Sequence, residues 1–268
     1  MKNSENKYET LILTKKEAVA KVILNRPDKM NALNPKMFED IAEVFKHIAT
    51  DDSIRAVIVS GAGEAFSAGG DVIEDILPIS NMTLSEFKDY FEKGSRAYKE
   101  MFNLQKPVIG AINGFAVGGG LEIALLCDIR IASEKARFGQ GFVWMGLVAE
   151  VGTYLMSRII GLGRAKLLSF TGDLIDASEA ERIGLVEKVI PANQLEQYAE
   201  ELAKRLADGP AESIGTIKKA LNESLRMDFD SSLDYVSGLV YQLTHSDEHK
   251  EAVKAFIEKR KPVFRVNK

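Results

Sequence analysis

The chain has 268 residues, of which 46% are hydrophobic and 28% charged, and its formal net charge at pH 7 is -4. These values are typical of a globular protein with a sizeable core, and the lack of a basic charge excess disfavours nucleic acid as a partner. The polar N-terminus has no apolar run like that of a signal peptide, and no segment is long enough to span a bilayer. We therefore predict a cytoplasmic protein with no membrane partner.

Strand and helix patterns alternate along the first two thirds of the chain. Short apolar runs predict strands, and apolar residues spaced three and four apart predict helices. In chain order, strands are predicted within residues 10–25 (with a turn at Lys15 to Glu17), 55–61, 106–113 and 128–133, helices at 35–51 and 121–127, and a helix running into a strand at 177–191. This alternation predicts an α/β fold with parallel strand pairing.

The pattern becomes helical from about Leu195 onward. Four helical segments are predicted, at residues 195–208, 210–225, 232–244 and 249–264. We therefore divide the chain into an α/β core of residues 1–194 and a C-terminal helical part of residues 195–268. Residues 72–104 form a charged, mostly helical insertion within the core.

Two glycine-rich loops follow predicted strands, GAGEAFSAGGD at residues 61–71 and NGFAVGGGLE at residues 113–122. Gly119 lies just before an apolar helix, where its N–H would sit at the positive end of the helix dipole. Gly70 could supply a second N–H, and two converging donors are what an oxyanion hole requires. The alternative is that these glycines serve only tight turns and close packing. Neither loop has a dinucleotide or phosphate fingerprint, or the GxSxG motif.

Two glutamates are candidates for proton chemistry. Glu122 follows the triple glycine on the first turn of the helix, where the dipole would favour its ionised form; a simple helix-start acid is equally compatible. Glu150 is the single acid in GQGFVWMGLVAEVGTY, residues 139–154. It either reaches solvent at a helix start or is held in an apolar pocket, which would raise its pKa. Phe142 and Trp144 are among the apolar residues that could build this pocket.

Other reactive side chains are few. His47, His245 and His249 lie in polar helical contexts and are predicted to be exposed, which weakens a Ser-His-Asp hypothesis. Cys127 is the single cysteine, so an intramolecular disulfide is excluded, and its apolar neighbours predict a small buried side chain. No cluster has metal-ligand spacing, so no metal is predicted.

Several motifs together resemble one family. They are NRPDKMNAL, FSAGGD, NGFAVGGGLEIALLCDIRIAS, ARFGQ, TGDLIDASEAERIGLVEKVIP and FIEKRKP. Their order along residues 8–265 is similar to that of the crotonase (enoyl-CoA hydratase/isomerase) superfamily. The resemblance implies a spiral of repeated ββα units and a C-terminal helical part that packs trimers, commonly paired into hexamers.

The resemblance also implies an acyl-CoA thioester as the substrate, with coenzyme A entering as part of it and no separate cofactor. Gly70 and Gly119 would hold the thioester oxygen as an enolate forms. The residues expected along coenzyme A are Lys29, Ala32, Leu33, Ala68 and Asp71, together with Lys259 and Lys261, which could belong to a neighbouring subunit. Ile73 and Leu77 of the insertion would cover the acyl pocket, beside Phe142 and Trp144.

The acids decide which reaction is expected. Family hydratases generally carry one acid after the triple glycine, matched by Glu122, and a second where this chain has Phe142. Glu150 lies in LVAEVGT, a run similar to that of double-bond isomerases, although dienoyl-CoA isomerases also keep an acid at the position of Phe142. We therefore expect isomerisation with Glu150 as acid/base.

Three alternatives remain open. Glu122 and Glu150 could activate water for enoyl-CoA hydration. Thioester hydrolysis, decarboxylation or ring-opening are further chemistries that one fold can host. From another class, the protein could be a non-catalytic acyl-CoA-binding protein.

Overall fold

The computed structural model describes residues 8–264. In this range the strands are β1 (Leu11–Lys16), β2 (Val19–Leu24), β3 (Ala56–Gly61), β4 (Ala65–Ser67), β5 (Val108–Ile112), β6 (Phe115–Val117), β7 (Ile129–Ser133), β8 (Arg137–Gly139), β9 (Ile175–Asp176) and β10 (Lys188–Ile190). The helices in the same range are α1 (Pro35–Thr50), α2 (Leu77–Ile79), α3 (Leu84–Asn103), α4 (Gly119–Leu126), α5 (Val151–Ile160), α6 (Leu162–Thr171), α7 (Ala177–Arg182), α8 (Leu195–Ala207), α9 (Ala211–Ser224), α10 (Phe229–Thr244) and α11 (Asp247–Ile257).

The strands form two sheets. The first has the order β1-β2-β3-β5-β7-β10, in which only the β1–β2 pair is antiparallel. The second has the order β4-β6-β8-β9, with β9 antiparallel to β8. Strands β3 to β8 enter the two sheets alternately, and helices follow β4, β6 and β8. The α/β fold is therefore a spiral of ββα units, as the resemblance implied.

The sequence patterns predicted every strand of the first sheet and missed the second sheet. Strands β4, β6, β8 and β9 have three residues or fewer. Such short strands are too brief to show the alternation or the apolar run on which strand prediction depends. Helices α5 and α6 were also not predicted.

Helix α1 shows how local sequence fixes an element. The Asn34 side chain caps its start by accepting a hydrogen bond from the Met37 N–H at 2.9 Å, and Pro35 occupies the first turn. The apolar residues at helical spacing that predicted this helix are all buried: Met37, Ile41, Val44, Phe45 and Ile48. Each such side chain contributes about 1.5–3 kcal/mol on burial, so their common face fixes the helix against the first sheet.

The side chains of the central strands alternate between the two faces of the first sheet, and both faces are covered. Val57 and Val59 of β3 join the larger core beneath α1, α3 and α4, whereas Ala56 and Ile58 point to the opposite side. Helix α8 covers that opposite side with Leu195 and its buried alanines. The division at residue 194 remains a prediction, and in packing terms α8 is a layer of the α/β core.

Residues 72–104 agree with the predicted helical insertion. They begin with a π-helical turn, Val72–Ile76, and continue through α2 into α3. Thr83 and Glu86 form a capping box at the start of α3. Helix α3 packs against α1 and so brings the insertion over the start of α4.

The described residues include no helix both long and apolar enough to cross a bilayer.

Candidate active site

The candidate site is a cavity of about 370 Å³ between the start of α4, the insertion and the segment that leads into α5. It is lined by Leu33, Phe38, Gly70, Asp75, Ile76, Ile79, Phe87, Tyr90, Phe91, Gly94, Tyr98, Gly119, Glu122, Phe142, Leu147, Val148, Ala149 and Glu150. The four residues that we predicted to be catalytic, two glycines and two glutamates, are all in this lining. A mostly apolar cavity with a few convergent polar groups is typical of a small-molecule site.

Gly70 and Gly119 lie side by side in the cavity wall. A Cβ atom built on Gly119 would be 3.7 Å from the Gly70 nitrogen. Leu33 pairs with the residues on either side of Gly70, donating its N–H to the Gly69 oxygen and accepting from the Asp71 N–H, both at 2.7 Å. In a parallel bridge this pattern turns the Gly70 N–H away from Leu33 and leaves it available to a ligand.

The other two glycines of the triple-glycine loop have separate roles. Gly118 adopts φ 51° and ψ -123°, a conformation open mainly to glycine, and so turns the chain into α4. A Cβ on Gly120 would lie 2.3 Å from the Ser67 oxygen, so this glycine permits close packing. On Gly119 a Cβ would meet the tip of the Leu33 side chain at 2.9 Å. The packing alternative therefore describes Gly120, whereas the Gly119 N–H starts α4 at the cavity.

The loop that carries Gly70 is held by buried polar groups. Asn31 donates through Nδ2 to the oxygens of Ala62 and Ala65, each at 2.8 Å. The Asp71 carboxylate accepts the N–H groups of Ile73 and Glu74, and its other oxygen pairs with Arg26 at 3.0 Å. These bonds fix the backbone on both sides of Gly70.

Glu122 is buried, and its carboxyl faces the start of α5. Its Oε1 accepts the Gly152 N–H at 3.1 Å, while Oε2 has no hydrogen-bond partner within residues 8–264. Burial raises the pKa of Glu122, against the opposing effect of the Gly152 N–H and of the nearby Tyr98 hydroxyl. We expected the dipole of α4 to favour the ionised form; desolvation acts in the opposite direction and is the largest effect on the pKa of Glu122.

Glu150 immediately precedes α5 but does not cap it, since its side chain accepts no hydrogen bond from the first turn. It stands at the exposed lip of the cavity, and the apolar atoms around its carboxyl, followed by the charges of Glu122 and Asp75, raise its pKa to about 7. A carboxyl with a pKa near neutrality can both accept and return a proton under physiological conditions. Glu150 therefore lies at the start of α5 without capping it, and it lines the cavity.

Asp75 is a third acid in the cavity that the sequence did not indicate. The π-helical turn places it beside Gly70, with its Oδ2 atom 3.2 Å from a Cβ built there. Tyr90 donates a hydrogen bond to Oδ1. Burial raises the pKa of Asp75, and the charge of Asp71 adds to this effect. The available signal was a pair of acids, Glu74 and Asp75, in the VIEDI turn, and the sequence does not show which of them faces the cavity.

Three of the four predicted acyl-pocket residues lie outside the cavity. Phe142 lines it, but Trp144, Ile73 and Leu77 are exposed, by 74%, 70% and 57%. Trp144 packs instead beside Gly172, near the end of α6. In the insertion, Asp75, Ile76 and Ile79 line the cavity, whereas Ile73 and Leu77 lie on the exposed side of the turn.

The residues expected along coenzyme A are spread over two regions. Leu33 is buried in the cavity wall, while Lys29 and Ala68 are exposed beside it and Ala32 is half-buried. Asp71 is buried, and its capping and ion-pair contacts engage both of its oxygens.

Lys259 and Lys261 are exposed beyond the end of α11 and do not reach the cavity of their own chain.

The predictions of exposed histidines and a buried cysteine are confirmed. His47, His245 and His249 are exposed. Cys127 is buried, and this burial raises the pKa of its thiol to about 12. In the part of the chain that the structure describes, no three His, Cys, Asp or Glu side chains gather as metal ligands.

Comparison with known proteins gives one consistent family. The model of the enoyl-CoA hydratase/isomerase family matches residues 14–267. The chain is 41% identical over 253 residues to the short-chain-enoyl-CoA hydratase of Clostridium acetobutylicum, covering 94% of this chain and 95% of that protein. It is 38% identical over 249 residues to the (E)-benzylidenesuccinyl-CoA hydratase of Thauera aromatica, covering 92% and 95%.

The fold agrees with this relationship. The crystal structure of enoyl-CoA hydratase from Bacillus anthracis superposes with a TM-score of 0.89 at 32% identity, over 96% of this chain and 99% of that one. The family match, the relatives and the fold all extend over nearly the whole chain. The protein belongs to the enoyl-CoA hydratase/isomerase family, the crotonase superfamily.

Proposed function

We propose that the protein hydrates 2-enoyl-CoA thioesters. The observation that carries the proposal is that Glu122 and Glu150 line the same cavity as the N–H groups of Gly70 and Gly119. The cavity thus combines donors for a developing oxyanion with carboxyls that can handle a proton. Sequence patterns favoured isomerisation, but the two relatives compared above are named hydratases, which favours the alternative.

In this mechanism the thioester oxygen binds between the N–H groups of Gly70 and Gly119. Glu150 accepts a proton from water while the water oxygen forms a bond to the β-carbon of the enoyl group. The double-bond electrons move to the thioester as an enolate, whose charge the two N–H groups stabilise. Glu150 then returns the proton to the α-carbon. Glu122 orients the water through its free Oε2 atom.

Isomerisation is the second candidate, favoured by one observation. Phe142 lines the cavity at the position where the resemblance places the second acid of hydratases. With one shuttle acid, Glu150, the same enolate could form by removal of a proton and collapse by protonation at another carbon. The two reactions share the oxyanion donors and differ in whether water adds.

Product identification separates these reactions. The protein would be incubated with a 2-enoyl-CoA, a 3-enoyl-CoA and a saturated acyl-CoA, and the products identified by mass spectrometry. We expect the 2-enoyl-CoA to give a 3-hydroxyacyl-CoA faster than the 3-enoyl-CoA gives its 2-enoyl isomer. The reverse order would establish isomerisation, and release of free coenzyme A would indicate hydrolysis. Tight binding without any turnover would identify an acyl-CoA-binding protein.

The pKa of Glu150 predicts the pH dependence of the reaction. Since the ionised form must accept the proton, kcat/KM should fall as pH decreases through about 7, the pKa of Glu150. The measurement is kcat/KM for a 2-enoyl-CoA between pH 5 and pH 9, with binding of a saturated acyl-CoA followed over the same range as the control. A flat profile across neutral pH would remove Glu150 as the proton acceptor.

Substituting Phe142 with glutamate should favour hydration. The change restores an acid where family hydratases carry one, and a positioned acid/base contributes roughly 10²–10⁴ in rate, so a shift of about tenfold in the ratio of hydration to isomerisation is expected. The product ratio is measured together with the folded fraction. Phe142→Leu removes the ring without adding an acid and serves as the matched control. A folded Phe142→Glu variant with the wild-type product ratio would show that this position does not choose the reaction.

We also infer that the chain assembles as a homotrimer or a hexamer. The C-terminal helices and the segment that follows them expose large apolar side chains: Ile217, Leu221, Phe229, Leu233, Val240, Tyr241, Val253, Phe256, Ile257 and Val263. Exposed apolar surface of this kind is typical of an interface between protein chains. In such an assembly Lys259 and Lys261 could meet coenzyme A phosphates bound to a neighbouring subunit. Sedimentation velocity of the full-length protein measures the mass of the assembly and so tests this inference.

A further inference from the structure

The cavity combines acidic charge with an apolar wall. Three carboxyl groups line it, those of Asp75, Glu122 and Glu150, and its lining in the described chain includes no Lys, Arg or His side chain. The remaining wall is mainly aromatic and aliphatic. Within the described lining, no cationic side chain compensates the negative charge of these carboxyl groups.

Asp75 is the acid of this set that the proposed mechanism does not use. The Asp71 side chain caps the π-helical turn of residues 72–76 by accepting the Ile73 and Glu74 N–H groups at 3.1 and 3.0 Å. π-helical turns are rare overall, but where they occur they are often at functional sites. Here the turn brings Asp75 and Ile76 against Gly70 and leaves Glu74 outside, paired with Arg26.

In the described residues, one of the two oxygens of the Asp75 carboxyl accepts a hydrogen bond from a side chain. Tyr90, on α3, donates its hydroxyl hydrogen to Oδ1. Within residues 8–264 no group donates to Oδ2, which lies beside Gly70, one of the two oxyanion donors. The hydroxyl hydrogen of Tyr90 is already donated to Asp75. Tyr90 and Asp75 therefore present only acceptor oxygens to an acyl group. A carboxylate on the acyl group would find no donor there.

We propose that Asp75 is a specificity-determining residue: held by Tyr90 beside the oxyanion donors, it excludes acyl groups that carry a carboxylate and admits uncharged ones. The inference rests on the proposed function, since it places the acyl group of an acyl-CoA in this cavity. It assigns the substrate class as thioesters whose acyl chain is neutral along its length.

Coulomb repulsion gives the scale of the selection. Two unit charges about 8 Å apart at an effective dielectric constant of about 20 repel strongly enough to change affinity roughly tenfold or more. Glu122 and Glu150 add to the repulsion, but removing either of them would also change the proposed chemistry. Substitution of Asp75 therefore tests charge selection without changing the proposed chemistry.

The test compares two saturated probes of equal carbon number, hexanoyl-CoA and adipoyl-CoA, which differ in a terminal methyl against a terminal carboxylate. Neither has a double bond to hydrate, so calorimetric affinities are independent of turnover. At pH 8 we expect the full-length wild type to bind hexanoyl-CoA more tightly. In Asp75→Asn the ratio of the two Kd values should fall toward one by roughly tenfold, because one negative charge has been removed while the amide oxygen can still accept from Tyr90.

Asp89→Asn is the matched control, because it removes the same charge from an exposed site one residue before Tyr90. Its Kd ratio should equal that of the wild type. An Asp75→Asn ratio equal to the wild-type ratio, or equal affinities of the wild type for both probes, would overturn the charge selection alone. Failure of hexanoyl-CoA to bind the wild type would overturn the acyl-CoA site and the inference with it.

Discussion

Replacing Glu150 with glutamine is expected to lower the rate of the chemical step by roughly 10²–10⁴, the usual contribution of a positioned acid/base. Glutamine keeps the size of the side chain and removes its ability to accept and return a proton. Affinity for a saturated acyl-CoA should be largely kept, because the cavity wall and the oxyanion donors are unchanged. The measurements are single-turnover rates with a 2-enoyl-CoA and the Kd of hexanoyl-CoA.

Measuring the free energy of unfolding of Glu150→Gln distinguishes a loss of catalysis from a loss of folding. The pKa of Glu150 is raised from 4.5 to about 7 in the folded protein. The stability that its protonated form contributes is therefore lost as pH rises from about 4.5 through 7, as the folded state comes to hold an ionised carboxylate beside Glu122 and Asp75. The glutamine variant should be at least as stable as the wild type at pH 8.

Glu92→Gln, on the exposed side of α3, is the matched control for Glu150→Gln and should leave both rate and stability unchanged. If the folded Glu150→Gln variant turned over at the wild-type rate, Glu150 would have no part in the chemistry and would be only the residue that precedes α5.

Proline at position 119 is expected to reduce turnover by about 10²–10³, the usual effect of removing one oxyanion donor. Proline has no N–H, and its fixed φ is tolerated at the first position of a helix such as α4. The preceding Gly118 has φ 51° and ψ -123°, which a glycine can keep before proline. Because the charge on the oxygen develops mainly in the transition state, affinity for hexanoyl-CoA should change much less than turnover.

Gly119→Ala controls for added bulk in this experiment. Its Cβ would meet the Leu33 side-chain tip at 2.9 Å, as the proline Cβ would, but alanine keeps the N–H. Turnover should therefore fall much further in Gly119→Pro than in Gly119→Ala. An equal fall in turnover and affinity in both variants would mean that Gly119 only shapes the binding site. Unchanged turnover in both would exclude the oxyanion role altogether.

The sequence by itself predicted the elements of the first sheet and indicated four residues of the candidate site. Residues such as Ile41 and Val44 of α1 recur at helical spacing, and β3 is a short apolar run, so these local patterns survive in the fold. Gly70, Gly119, Glu122 and Glu150 were recognisable because each belongs to a motif whose residues are adjacent in the chain. Their meeting in one cavity followed from the family resemblance and is present in the structure.

Local sequence did not determine the reaction. Glu150 in LVAEVGT pointed to isomerisation, and the hydratase names of the relatives compared above favour hydration. In the proposed mechanisms the two reactions share the oxyanion donors and the acid, so motif residues alone could not separate them. Where water can stand relative to Glu122 and Glu150 depends on the walls of the cavity.

Only the tertiary structure decided what surrounds these residues. Strands β4, β6, β8 and β9 pair because the spiral brings them together, and their local sequences did not predict them. The sign of the pKa shift at Glu122 depends on burial by distant segments, which no neighbouring residue in the chain reveals. In the insertion, the phase of the π-helical turn sends Ile73 to solvent and Asp75 to the cavity. Orientation, burial and charge proximity arise between segments far apart in the chain, and therefore appear only once the chain is folded.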